Sequence, residues 1–183
     1  MIKAIIFDIN GVLITPEIPT LYEASMIRED HQNFDKRLED FNNNKITAKT
    51  FWSDFMNGTM QKIKPLKEMM ILLEELKKGY RLYALSNSTR DGAKRKLEDH
   101  GMSKYFEEVF TSFEIGHTKP DLEIFEHVLD KISLKPEECL FLDDIKENTA
   151  SARILGFETL TVLDYKKLKK YLEFLGILQN HKL

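Results

Sequence analysis

Short apolar runs recur along the chain, and each one stops at polar residues. The first of them is short, apolar and β-branched, which is typical of a strand that is buried on both faces of a parallel sheet. We therefore predict five strands, and the stretches that contain them are KAIIFD at 3–8, YRLYALSNST at 80–89, EEVFTS at 107–112, CLFLDD at 139–144 and ETLTVL at 158–163.

Amphipathic segments with a helical period lie between these runs. From about residue 66 the apolar positions fall on one helical face, and Gly79 is suited to end that helix. Strands that alternate with helices predict an α/β fold, a parallel sheet with helices on both faces. The remaining helices are predicted over 90–100, 121–132, 146–157 and 165–175.

One stretch, residues 15–64, breaks this alternation. It is polar, contains no strand-like run, and has helical patterns such as AKTFWSDFMN, while Pro16, Pro19 and Pro65 mark its edges. We interpret it as a small helical insertion after the first strand. The predicted organisation is a core of residues 1–14 and 65–183 with a helical cap of residues 15–64.

Composition narrows the class of protein. The chain has 183 residues and a net charge of −3, which gives no reason to expect nucleic acid or an anionic membrane as a partner. Cys139 is the single cysteine, so an internal disulfide is excluded. The sequence has no apolar stretch of membrane-spanning length and no signal-peptide pattern at Met1, so we expect a cytoplasmic protein. The sequence does not indicate an oligomeric state.

Polar side chains follow the first, second and fourth predicted strands where each of them ends, and a lysine lies just before the helix that precedes the fourth strand. In a parallel sheet these positions converge on one crevice, at the edge where ligands bind. Carboxylates that meet there would raise one another's pKa, and a hard cation such as Mg²⁺ would relieve this, with a substrate phosphate oxygen among its ligands. The candidate residues are Asp8, Ser86, Asn87, Lys119, Asp143 and Asp144.

Each candidate also has a structural interpretation. Asp8 can be a strand end before an Asn-Gly hairpin turn, and Ser86 is an ordinary turn former. Lys119 can be a surface lysine, and the pair at 143–144 can be the start of a helix. The chemical interpretation rests on the coincidence of all of them at strand ends. Asp8 would then attack phosphorus, since carboxylates act as phosphoryl acceptors.

Four segments resemble, in order, the motifs of the haloacid dehalogenase superfamily, most of whose members are Mg²⁺-dependent phosphatases. The resemblance covers most of residues 1–14 and 66–163, and it is closest to the subfamily I group that includes the epoxide hydrolase N-terminal phosphatase domain and sugar-phosphate phosphatases. It implies a Rossmann-like sheet with strand order 5-4-1-2-3, a cap after the first strand and a small phosphorylated metabolite as substrate. The segments are FDINGVL at 7–13, LSNST at 85–89, GHTKPDLEIF at 116–125 and FLDDIKENTASARILGF at 141–157.

The resemblance also implies a role for each catalytic position. Asp8 would be the nucleophile that forms an aspartyl-phosphate. Ser86 would hydrogen-bond the phosphoryl group, and Lys119 would steady the nucleophile and the developing charge. Position 10 would contribute to the catalytic site as well.

The metal and phosphate ligands follow in the same way. Mg²⁺ would be held by Asp8, by the main-chain carbonyl of Asn10 and by Asp144, with Asp143 nearby or acting through water. The phosphoryl group would be bound by Gly11, Ser86, Asn87 and Lys119.

Asn10 departs from the family pattern, which usually has a second aspartate there. That acid protonates the leaving-group oxygen and later deprotonates water, and such groups contribute about 10²–10⁴ in rate. An amide keeps the main-chain carbonyl but cannot transfer protons. The leading hypothesis is a phosphatase whose turnover the amide would reduce. The alternatives are a 2-haloacid dehalogenase, a catalytically impaired phosphate-ligand binding protein, and an Asn introduced by engineering to trap an intermediate.

Overall fold

A computed structural model describes residues 1–14, 45 and 67–178. The chain divides into two compact units, Met1–Thr15 with Lys64–Leu183 and Pro16–Ile63. The predicted helical cap of residues 15–64 lies outside the described residues, except for Lys45, and it stays a prediction. The description below concerns the first unit.

The first unit is built on a five-stranded sheet in which every pair of neighbouring strands is parallel. The strand order is β3-β2-β1-β4-β5, which confirms the predicted order read from the opposite edge. The residues of the first and fourth strands are buried on both faces of the sheet, which is why these runs are apolar throughout, whereas the two edge strands are only partly buried. The strands are β1 (Ala4–Phe7), β2 (Arg81–Ser86), β3 (Glu108–Thr111), β4 (Cys139–Asp143) and β5 (Glu158–Thr161).

Helices connect the strands, and all five helices predicted between 66 and 175 are present with ends shifted by a few residues. The structure adds a one-turn helix directly after β3, which the apolar pattern does not predict because four residues are too few to show a helical period. The helices are α1 (Lys67–Leu76), α2 (Arg90–Asp99), α3 (Ser112–Ile115), α4 (Leu122–Ile132), α5 (Lys146–Ile154) and α6 (Tyr165–Phe174). None of the helices within the described ranges is both long and apolar enough to cross a membrane.

Strand register positions the site. Phe7 on β1 pairs with Ala84 on β2 and with Leu142 on β4, so the residues that follow these strands emerge side by side. The main-chain N–H of Asp8 donates to the carbonyl of Leu142 at 2.8 Å and continues the ladder by one residue. On one side of the sheet, Phe125 of α4 packs edge-on against Phe141 of β4, with ring centroids 5.2 Å apart. The strand ends therefore belong to a packed core.

Candidate active site

Asp8 lies at the carboxyl edge of the sheet and is nearly buried. Its Oδ1 accepts a hydrogen bond from Lys119 Nζ at 2.6 Å. The same ammonium donates to Asp143 Oδ2 at 2.6 Å and to the carbonyl of Leu85 at 3.1 Å. The ammonium of Lys119 thus donates three hydrogen bonds, one to the carboxyl end of each of β1, β2 and β4, and it links these three strands at one point.

Asn87 fixes the main chain of Lys119. Its Nδ2 donates to the Lys119 carbonyl at 2.8 Å, and its Oδ1 accepts from the Lys119 N–H at 2.8 Å. The Lys119–Pro120 peptide bond that follows is cis. Because both amide atoms contact Lys119, the predicted contact between Asn87 and a phosphate would have to use the remaining N–H of Nδ2. That contact stays a prediction.

Asp143 is fully buried and its carboxylate is held by protein donors. Oδ1 accepts from the main-chain N–H of Ile145 at 2.8 Å, and Asn148 Nδ2 lies 3.0 Å from Oδ1 and 3.1 Å from Oδ2. Together with Lys119, these contacts occupy both carboxylate oxygens. An indirect contact between Asp143 and a metal ion, through water, fits this arrangement better than direct ligation.

Asp144 is half-buried and faces the turn after β1. A Cβ added at Gly11 would lie 2.1 Å from Asp144 Oδ2, so the carboxylate occupies the space that a side chain at position 11 would need. Gly11 also has φ +85, a conformation that L side chains rarely adopt. Its N–H donates to the Ile14 carbonyl at 2.8 Å and is therefore already engaged. The role predicted for Gly11 in phosphate binding stays a prediction.

The three carboxylates form one cluster. One oxygen from each of Asp8, Asp143 and Asp144 lies within 4.8 Å of the others. Burial, opposed by the charge of Lys119 and reinforced by Asp143, raises the pKa of Asp8 to about 6. Burial and the charges of Asp8 and Asp143 raise the pKa of Asp144 to about 6. Burial disfavours the charged form of Lys119, but the two carboxylates outweigh it and raise the pKa of the ammonium.

The donor set fits a hard divalent cation. Asp8 and Asp144 offer carboxylate oxygens, and Mg²⁺ binds through one or two carboxylates together with waters and substrate phosphate oxygens. Gly11 is the main-chain position that leaves room for the Asp144 carboxylate. The predicted ligation by the carbonyl of Asn10 involves the preceding residue of the same turn, and it stays a prediction.

Ser86 ends β2 and its side chain is fully buried, with 1% of the residue exposed. Within the described parts of the chain, its hydroxyl has no hydrogen-bond partner, whereas buried polar atoms are normally paired. An unpaired hydroxyl beside Leu85, whose carbonyl contacts Lys119, is suited to bind an anionic oxygen. This supports the predicted role of Ser86 toward a phosphoryl group.

Lys96 is a site residue that the sequence pattern does not indicate. Its Nζ lies 3.0 Å from Asn10 Oδ1, and its side chain extends from α2 and is half-buried. The sequence shows only a charged helix over 90–100, in which Lys96 is one of several basic residues. A contact between residues 86 positions apart depends on how α2 packs, and no local pattern encodes it.

Replacing Gly11 with Ala should disrupt the cluster. The new Cβ would clash with Asp144, and the positive φ adds about 1–2 kcal/mol of strain for a non-glycine residue. We expect lower thermal stability and a smaller Mg²⁺-induced rise in melting temperature, both measured by differential scanning fluorimetry. Gly79→Ala is the matched control, because no heavy atom lies within 4 Å of the added Cβ. An unchanged response to Mg²⁺ in Gly11→Ala would contradict the packing of Asp144 against the turn.

A parallel sheet whose carboxyl edge carries three carboxylates and a buried lysine defines an α/β protein with an acidic site whose donors suit a cation. Residues 15–162 match the family model described as haloacid dehalogenase-like hydrolase. The chain belongs to this family of hydrolases, as its four motifs predict.

Two related phosphatases align with the chain along most of their own length. The chain is 28% identical to a D-ribitol-5-phosphate phosphatase of Bacteroides thetaiotaomicron, over 87% of this chain and 91% of the relative. It is 30% identical to a sesquiterpene phosphatase of Aspergillus oryzae, over 88% of this chain and 90% of the relative.

A solved structure of a family enzyme from Bacteroides thetaiotaomicron, in complex with magnesium and inorganic phosphate, has the same fold. Its TM-score is 0.64 at 23% identity, and the alignment covers 92% of this chain and 99% of that chain.

Proposed function

We propose that the protein is a Mg²⁺-dependent phosphatase that acts on a small phosphorylated metabolite through an aspartyl-phosphate on Asp8. The observation that carries this proposal is the Asp8 carboxylate, held at 2.6 Å by a buried ammonium and clustered with two further carboxylates. Relatives that are phosphatases, and a fold neighbour solved with magnesium and phosphate, support the same assignment.

The nucleophile is oriented by Lys119. The ammonium binds Asp8 Oδ1, which fixes the plane of the carboxylate and leaves its other oxygen to attack phosphorus. In the attack one carboxylate oxygen becomes part of the new bond, and the positive charge of Lys119 stabilises the anionic phosphoryl group that is being transferred. The pairing with Asp143 keeps that charge in position, because both carboxylates hold the same ammonium.

The phosphoryl group would be bound from the β2 side by Ser86, whose hydroxyl is free to donate. Mg²⁺, when bound by Asp8 and Asp144, would neutralise phosphate oxygens and lower the repulsion between the substrate and the carboxylates. Asn10 adds no proton donor on the leaving-group side. Esters that require protonation of the leaving oxygen are therefore expected to react slowly.

A dehalogenase has one observation in its favour. Position 10 carries an amide instead of an acid, and a halide leaves without receiving a proton. The cluster of Asp8, Asp143 and Asp144 argues against it, because a metal site has no function in that displacement. A protein that binds Mg²⁺ and a phosphorylated ligand without turnover would retain the same cluster. A phosphatase releases phosphate, a dehalogenase releases halide, and a protein that only binds its ligand releases neither, so an assay of products separates the three functions.

The test is a panel of phosphomonoesters that ranges from aryl and acyl phosphates to sugar and alkyl phosphates, assayed for phosphate release with Mg²⁺ and with EDTA. Release that requires Mg²⁺ and is fastest with aryl or acyl phosphates would support the proposal. Absence of release from every substrate, including an activated aryl phosphate, would refute it. Mg²⁺-independent halide release from a 2-haloacid would support the dehalogenase instead.

A further inference from the structure

We propose that Lys96 stabilises the negative charge on the leaving-group oxygen and selects substrates whose leaving group departs as an anion. This inference rests on the proposed phosphatase function and concerns the same site. It starts from the contact between Lys96 Nζ and Asn10 Oδ1, which are 3.0 Å apart. Asn10 stands where related phosphatases usually have a second aspartate, and that side chain acts on the leaving group.

Lys96 carries a positive charge that no acid in the described part of the chain neutralises. Within residues 1–14, 45 and 67–178, its ammonium contacts no carboxylate, and Asn10 is its only hydrogen-bond acceptor. Lys119 differs in this respect, because two carboxylates hold it. An ammonium has three donors, so Lys96 can donate to an anionic oxygen while it keeps its contact with Asn10.

The contact also sets the orientation of the Asn10 amide. An ammonium has no acceptor, so the amide oxygen must face Lys96 and the amide NH₂ must face another direction. Position 10 therefore carries a neutral group that is held by a cation, where an aspartate would carry a negative charge. The pair Lys96–Asn10 therefore places a positive charge beside the position that acts on the leaving group.

This charge favours a leaving oxygen that departs without a proton. In the first step Asp8 forms a bond to phosphorus, the bond from phosphorus to the leaving oxygen breaks, and the electron pair stays on that oxygen beside Lys96. In the second step water attacks the aspartyl-phosphate, the bond between Asp8 and phosphorus breaks, and both protons of the water leave with the phosphate as H₂PO₄⁻. No proton passes through position 10, in agreement with the amide there.

The substrate class follows from this charge distribution. A cation stabilises an aryl oxide or a carboxylate leaving group in the transition state, where the negative charge develops. A simple alkoxide is too basic to depart efficiently without a proton. The structure therefore points to aryl or acyl phosphates, whose leaving oxygens are stable anions, rather than to simple alkyl phosphates.

The test measures kcat/KM for a series of aryl phosphates with leaving groups of increasing basicity, from dinitrophenyl phosphate to phenyl phosphate. Lys96→Met keeps an apolar side chain of similar length and removes the charge. We expect kcat/KM for phenyl phosphate to fall about 10- to 100-fold, less than for a fully buried oxyanion donor because Lys96 is partly exposed. The loss should be smallest for dinitrophenyl phosphate, so the dependence on leaving-group basicity becomes steeper.

Two further variants make the result specific. Lys94→Met removes the same charge from the same helix, at a lysine that pairs with Glu114 at 3.2 Å, and it should leave the dependence unchanged. Lys96→Arg keeps the charge and should restore most of the wild-type dependence. Inhibition by inorganic phosphate should be similar in all variants, which separates an effect on the leaving group from a general disturbance of the site.

An active wild type and a Lys96→Met variant with the same dependence on leaving-group basicity would overturn the role of Lys96 and leave the proposed function intact. A uniform loss across the series would also overturn it, because it would indicate a structural effect. A wild type that releases no phosphate from any substrate with Mg²⁺ would refute the proposed function, and the inference with it.

Discussion

Replacing Asp8 with Asn is expected to reduce phosphate release by about 10⁴-fold or more, a loss typical of removing a catalytic nucleophile. The amide has the size and shape of the carboxylate, and its oxygen can still accept from Lys119. It cannot form an acyl-phosphate, because an amide is a poor nucleophile. Asp143 continues to neutralise the buried ammonium, so the variant should fold. Steady-state phosphate release in the presence of Mg²⁺ measures the loss.

A second measurement identifies the covalent intermediate. Because Asn10 cannot activate water, hydrolysis of the intermediate should be slow, and the phosphorylated enzyme should accumulate during the first turnover. Acid quenching followed by peptide mass spectrometry should place the phosphoryl group on the peptide that contains Asp8. Asp130→Asn is the matched control, since that exposed residue lies on α4 and its replacement should leave activity unchanged. Asp8→Asn with near-normal turnover, or a phosphoryl group on another residue, would contradict the mechanism.

Restoring an acid with Asn10→Asp is expected to raise turnover of alkyl phosphates by up to about 10²–10⁴-fold, the range that general acid–base groups contribute. Two steps gain from it. The leaving oxygen receives a proton in the first step, and water loses one in the second. The gain should be larger for alkyl than for aryl phosphates, because an aryl oxide needs no proton to depart. Initial rates on one substrate of each kind measure the difference.

Lys96 should limit this gain. An aspartate at position 10 would lie within ion-pair distance of Lys96, and a neighbouring cation lowers the pKa of a carboxyl group. An acid with a lowered pKa is ionised at neutral pH and protonates the leaving group poorly. The double variant Asn10→Asp with Lys96→Met should therefore exceed the single variant on alkyl phosphates. Equal rates in the two variants would show that Lys96 does not act on this position, and no gain in either would show that proton transfer does not limit turnover.

The parts of the fold that could be predicted from the sequence are those encoded locally. β1 and β4, in the middle of the sheet, are short apolar runs that are buried along their whole length, so the run itself marks the strand. The edge strands β3 and β5 are only partly buried and include glutamate and threonine residues, so their apolar signal is weaker. Asp8, Ser86 and Asp143 could be assigned to the site because parallel strands end at the same edge of the sheet. The one-turn helix after Thr111 could not be predicted, because its four residues are stabilised by a cap rather than by a pattern.

The contacts inside the site join residues that are far apart in the sequence. Lys119 meets Asp8 across 111 residues, and the sequence indicates this only through the resemblance of its motif. Lys96 lies in no motif, so its contact with Asn10 follows only from the packing of α2. The use of Asn87 to hold the main chain of Lys119 was not predicted either, because the sequence indicates the residue type but not its partner.

The pairing between Asn87 and Lys119 determines where Lys119 is anchored in the fold. Asn87 follows β2 directly and binds the main chain of Lys119, and the ammonium of Lys119 returns to the carbonyl of Leu85 on the same strand. Both ends of the lysine are thus anchored to β2, although its loop leads into α4. The position of Lys119 is therefore set by β2, within the sheet, rather than by the loop to which Lys119 belongs.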